Sequence, residues 1–195
     1  MTLSHHRHTS STSSTQSLSP PTTLADLENT TFTTLRKQNV VPMVNKTCKL
    51  ILCAGRRRRG SVWKGSGGGH DVGLKLGLVR CLVAQPRFMS VTLTDLEPAS
   101  LLLQKDMLCM FDADSDILLG SKEDVLIPIV LDLRGLPLES TGIVCGVAGR
   151  LVGGTKGGVA NGNGAVEMSY LSTARAGTVM VAEGDISRAV AALDM

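Results

Sequence analysis

Val125-Leu-Ile-Pro-Ile-Val-Leu-Asp-Leu133 is a continuous apolar run of strand length, consistent with a strand buried on both faces. Pro128 has no N–H to give to a ladder, so the regular strand is expected to begin at Ile129. Beyond it, Ile143, Val144, Val147 and Leu151 recur at helical spacing, with Ser140 or Thr141 available as N-cap and Gly153 as terminator. Val166, Met168 and Tyr170 then alternate with Glu167, Ser169 and Leu171, and a second β-rich run follows from Gly177 to Ala182, which reads as a hairpin. Asp185 opens a last helix whose Ile186, Ala189, Val190 and Leu193 fall on one face. The order is β-α-β-β-α.

The same order is legible once before. Met89-Ser90 and Thr94 stand 79 positions before Met168-Ser169 and Thr173, and the same offset sets Leu50-Ile-Leu52 on Ile129-Val-Leu131 and Asp106 on Asp185. The intervening helix aligns at an offset of 69, which places Gly73, Leu74 and Gly77 on Gly142, Ile143 and Gly146. The chain therefore reads as an α+β protein of two ferredoxin-like units, roughly 46–112 and 124–195, that together bury sheets neither could cover alone. No closing strand follows the final helix, so one edge of the second unit is expected to be open or covered by other chain. Thr30 to Leu35, or Ile117 to Leu119, are the candidate strands, and an open edge otherwise invites a homodimer.

Composition narrows the function classes. Of the 195 residues 43% are hydrophobic, enough for a core, yet no window approaches a membrane-spanning length and the N-terminus has no apolar leader, so a cytoplasmic protein is expected. Five cysteines without a CxxC pair argue for reduced, mostly buried thiols over a disulfide framework or zinc knuckle. The net charge of +3 comes from the run Arg56 to Arg59, and five aromatic residues leave little for base stacking, so nucleic-acid binding is not expected. Residues 1–23 are mostly Ser, Thr, His and Pro with almost nothing apolar and read as a disordered tail, in which His5, His6 and His8 have no fixed geometry for a metal. The glycine-rich spans Gly65 to Gly69 and Gly153 to Gly164 read as flexible loops.

No catalytic constellation emerges: there is no G-x-S-x-G, no H-E-x-x-H, and His70 is the one histidine outside the tail. The surviving enzyme reading sets Gly65 to Gly69 and Val91-Thr-Leu-Thr-Asp95 as the glycine loop and strand-end acid of a nucleoside-cofactor enzyme such as a methyltransferase. The binding reading rests on Arg134-Gly-Leu-Pro-Leu-Glu-Ser-Thr-Gly142, a strand-to-helix loop whose N–H groups, with the Ser140 and Thr141 hydroxyls, suit a carboxylate, while Glu139 suits a cation. Gly142, Gly146 and Gly149 cost about 0.5–1 kcal/mol each inside a helix, and close approach of another segment would offset that.

Pro137-Leu-Glu-Ser-Thr-Gly-Ile-Val-Cys-Gly-Val-Ala-Gly-Arg-Leu151, Met168-Ser-Tyr-Leu-Ser-Thr173 and Val179-Met-Val181 with Asp185 resemble an ACT domain of the CASTOR type. Arg87-Phe-Met-Ser-Val-Thr-Leu-Thr94 with Glu97-Pro98 resembles the preceding unit of that family. The resemblance implies tandem ACT units without enzymatic activity or cofactor, an amino-acid sensor of TOR-type nutrient signalling, and an amino-acid ligand or a regulatory protein partner. It assigns ligand contact to Ser140, Thr141, Gly142 and Ile143 with Tyr170, Leu171, Ser172 and Thr173. Ala176-Gly177 stands where relatives carry Thr-Asp, so an acidic side chain of that pattern is missing.

Overall fold

The computed structural model describes residues 23–56, 69–94, 98–111, 117–137, 140–153 and 165–194. The tail 1–22, Arg57 to Arg59, the glycines 65–68 and 154–164, Asp95 and Glu139 lie outside the described residues.

The run at 125 is the strand at the centre of the molecule. It forms β6, Val125–Asp132, paired along its length with β8, Ala176–Ala182. Pro128 lies inside this strand rather than before it, a correction to the expected start at Ile129. Its carbonyl accepts from Asn45 N–H at 3.1 Å, so its nitrogen faces away from β8, toward the side where β1, Met43–Val44, pairs with Val130 and Ile129. The missing donor falls where β1 turns away, and the Asn45 carbonyl takes the Cys48 N–H instead.

Two β-α-β-β units lie side by side in one sheet. The first comprises β2, Leu50–Gly55, α2, Gly69–Val83, β3, Met89–Thr92, and β4, Ser100–Gln104; the second comprises β6, α3, Ile143–Gly153, β7, Met168–Ser172, and β8. The strand order is β3-β4-β2-β6-β8-β7, and every pairing is antiparallel. The fold is α+β with tandem ferredoxin-like units. An all-antiparallel sheet is incompatible with the doubly wound parallel sheet that the methyltransferase reading requires. The second unit ends in α4, Ile186–Leu193, whereas the first ends in a 3-10 turn over Lys105–Met110 in place of the expected second helix.

The register corrects the repeat. Met89 pairs with Leu103 as Met168 pairs with Val181, so those methionines hold equivalent places. Leu50 and Ile129 do not. Ile129 faces the helices with Val179 and Val181, while Leu50 packs on the other sheet face with Cys48, Leu102 and Met180. The strand equivalent to Ile51 opposite Leu103 is Ile127 opposite Val181, and an odd slip in a strand exchanges its two faces.

The edge expected to be open or covered by other chain is covered. β1 and the start of β2 line the free side of β6, so that edge gives no basis for a homodimer; the outer strands of the sheet are β3 and β7. Neither candidate strand fills the place assigned to it. Leu118–Leu119 forms β5 and pairs with β2 of the first unit. Thr30 to Leu35 lies within α1, Leu24–Lys37, a helix opened by a capping box of Thr23 and Asp26 and closed over Arg36 and Lys37.

Helix α1 explains the glycines of α3. Its Leu27, Thr31 and Glu28 side chains lie where Cβ atoms at Gly142, Gly146 and Gly149 would stand, the Thr31 Oγ1 at 2.4 Å from such an atom at Gly146. Phe32 and Leu35 fill the same core as Val147, Leu151, Val179 and Val181, and the Arg150 guanidinium lies 3.6 Å above the Phe32 ring. In the first unit the matching glycines are covered by two apolar side chains, Gly77 by Phe111 and Gly73 by Ile117. Gly146→Ala is therefore expected to destabilise the fold by about 1–3 kcal/mol despite its better helix propensity, by overpacking against α1. Gly184→Ala, where nothing lies within 4 Å of the added atom, is expected to be near neutral. Urea denaturation of the two variants checks both, and equal midpoints would contradict the packing.

Candidate functional site

The end of β6, the loop after it, the first turn of α3 and the β7–β8 turn surround a cleft of about 870 Å³. That volume lies within the range of small-molecule sites. Leu133, Leu136, Pro137, Ile143 and Tyr170 supply an apolar wall, and Ser140, Ser172 and Thr173 supply hydroxyls.

The helix begins later than expected. Its first hydrogen bond runs from Gly146 N–H to the Gly142 carbonyl at 2.9 Å, so Gly142 holds the cap position in place of Ser140 or Thr141. Gly142 has φ +79°, in the left-handed region that a side chain opposes, and its carbonyl also accepts from the Thr31 hydroxyl at 3.4 Å. The N–H groups of Ile143, Val144 and Cys145 precede that first bond and lie at the positive end of α3.

The opposite wall is the hairpin. Thr173 N–H donates to the Ala176 carbonyl at 2.9 Å, and the Thr173 hydroxyl accepts from Ala176 N–H at 3.1 Å, closing a tight turn with Ala174 and Arg175 at its tip. Leu133 N–H donates to the Arg175 carbonyl at 2.9 Å and ties the turn to β6. Both Arg134 and Arg175 line the cleft. Arg134 is held by Asp132, with Nε 2.9 and 3.0 Å from the two carboxylate oxygens. That hydrogen bond pulls the Asp132 carboxyl down to about 2, so the pair is fully formed above the ordinary carboxylate range and is lost only as pH falls through about 2.

Tyr170 and Gly177 form one unit. A Cβ at Gly177 would stand 2.0 Å from the Tyr170 hydroxyl oxygen, so the phenol occupies the space that any side chain at 177 would need. The tip of the tyrosine is thus laid across β8. Burial pushes the Tyr170 phenol above its usual range, which keeps it protonated at neutral pH.

Of the residues assigned to ligand contact, Ser140, Gly142, Ile143, Tyr170, Ser172 and Thr173 lie around this cleft, and Thr141 and Leu171 are not part of its lining. Leu171 points to the other sheet face, against the cluster of Cys48, Leu50, Leu102 and Met180, because successive strand side chains alternate. Thr141 is exposed ahead of Gly142. Arg134, the first residue of the strand-to-helix loop that carries the binding reading, belongs to the lining, as do Cys145 and Arg175, which were not assigned to it; the adjacency of Arg175 to Leu-Ser-Thr173 in a two-residue turn was the available signal. Among the described residues no group of three or more His, Cys, Asp and Glu side chains could hold a metal, and no helix is long and apolar enough to cross a membrane.

No family model and no curated protein matches the chain. Among solved structures it is similar to a Vibrio cholerae protein of unknown function described as a possible transport protein, at 13% identity and a TM-score of 0.47 over 78% of this chain and 85% of that one. It is also similar to the regulatory subunit of aspartate kinase from Thermus flavus, at 12% identity and 0.44 over 79% of this chain and 94% of that one. A third likeness, to Clostridium acetobutylicum aspartate kinase, has 11% identity and a TM-score of 0.46 over 79% of this chain, which spans 33% of that enzyme.

Tyr170 is the sole tyrosine of the chain, so its ionisation can be followed by ultraviolet absorbance. Its midpoint is expected above the ordinary tyrosine value near 10. In Gly177→Ala the displaced phenol should gain water and titrate closer to that value. An unchanged midpoint in the variant would place Tyr170 elsewhere.

Proposed function

We propose that this chain is a non-enzymatic regulatory protein of the ACT type that binds an amino acid, or a polar molecule of similar size, in the cleft between the α3 N-terminus and the β7–β8 turn. The observation that carries this reading is the convergence of six of the eight residues singled out by the CASTOR-type resemblance on one cleft. They come from two segments that are some thirty residues apart in the chain. The site offers what such a ligand needs: first-turn amides for a carboxylate, hydroxyls for polar groups and an apolar wall for a side chain. A role in TOR-type nutrient signalling, in the cytoplasm, through a regulatory protein partner, follows from the same resemblance.

Cys145 provides a direct test. Among the described residues Cys109 and Cys145 are the exposed thiols, and Cys145 alone of the two lines the cleft. Burial pushes the Cys53 thiol up to about 11 and raises those of Cys48 and Cys81, so these three should react slowly with iodoacetamide at pH 8. With each of the twenty amino acids present at millimolar concentration, at least one should slow alkylation of Cys145 several-fold while Cys109 reacts at its unliganded rate, as read by peptide mass spectrometry. If Cys145 reacts equally fast under all twenty, the cleft does not bind amino acids.

A further inference from the structure

The charges on the cleft point to a ligand class. Among its described lining residues the charged side chains are both cationic, Arg134 and Arg175, and none is acidic. These two are not equivalent. Arg134 spends Nε and one Nη on Asp132, so its charge is balanced within the chain. Arg175 has no ion pair or side-chain hydrogen bond among the described residues, although its backbone is fixed by the bond from Leu133 N–H and by the Thr173–Ala176 turn. A guanidinium whose chain is anchored but whose donors are unspent is suited to bidentate capture of a carboxylate, and the anchoring lowers the ordering cost of binding. Across the cleft the first-turn N–H groups of Ile143, Val144 and Cys145 form a second place of positive potential.

We propose that the cleft selects a small molecule with two carboxylates, a dicarboxylic amino acid or an organic dianion of similar size, with Arg175 on one carboxylate and the start of α3 on the other. This rests on the ligand-binding reading above and adds the charge of the ligand to it. A cationic amino acid meets the unbalanced Arg175 charge and is disfavoured; a neutral one leaves Arg175 unspent.

Titration calorimetry on the full chain decides the matter with five probes: L-aspartate, L-glutamate, succinate, L-leucine and L-arginine. At least one of the first three should bind about tenfold or more tightly than leucine or arginine, and the affinity should fall between 50 and 300 mM salt. Succinate binding as well as the amino acids identifies an organic-dianion site, and aspartate or glutamate alone identifies an amino-acid site. Arg175→Gln should lose about ten- to hundredfold for the dicarboxylates, the scale of a charge-assisted hydrogen bond, and Arg175→Lys should recover part of it, with circular dichroism confirming that both variants are folded. Tighter binding of leucine or arginine than of every dicarboxylate overturns the charge assignment but leaves the site an amino-acid site. Undiminished dicarboxylate binding by folded Arg175→Gln overturns the role of Arg175. No binding by any probe, together with an unprotected Cys145 under all twenty amino acids, overturns the ligand-binding reading and this inference with it.

Discussion

The contact of α1 on the glycine face of α3 governs the second unit. Thr31 can lie where a Gly146 side chain would be only because there is none, and from that position its hydroxyl reaches the Gly142 carbonyl. That carbonyl caps α3, and Gly142 adopts its left-handed conformation at the same point. The start of α3, and with it one lip of the cleft, is thereby held by a helix more than a hundred residues away in sequence. Phe32 and Leu35 extend the contact into the core, and Arg150 closes over the Phe32 ring. A helix capped by Gly142 and carrying Gly146 and Gly149, weak on its own, becomes well packed once its small positions are filled from outside.

Elements whose apolar period was uninterrupted were readable from the residues. β6, α3, the β7–β8 hairpin and α4 were expected at nearly their observed places, because each buries one face against the others. Helix α1 was not. Its Thr-Thr-Phe-Thr-Thr centre favours strands by local propensity, and the helix exists through tertiary packing of Phe32 and Leu35. The capping box at Thr23 and Asp26 and the basic last turn were the signals that outweighed the threonines. The repeat misplaced Leu50 because matching by residue identity ignores which face of the sheet a residue occupies, and the pairing with β4 decides that.

The cleft was legible in outline for a different reason. A strand-to-helix loop and the strand beside it must come together in this topology, so naming the two segments was enough to bring six residues close. Leu171 was separable by the alternation already visible along its strand, which sets it opposite Tyr170. Arg175 was not separable in that way, since its place depends on the two-residue turn and on the bond from Leu133, and neither is encoded in a periodic pattern. Gly177 offers no side chain to read in the sequence; in space that absence is the lodging of Tyr170.

Pro128 marks the place where β6 changes neighbour, from β1 on one side of it to the start of β2 on the other. Leu24–Lys37 and Met43–Val44 thus supply a helix and a strand to elements that come much later in the chain. On a ribosome they emerge long before β6, α3 and α4 exist to receive them, with Phe32 and Leu35 waiting uncovered. Folding of the second unit consequently has to join segments far apart in the chain, and contacts of such sequence separation are slow to form.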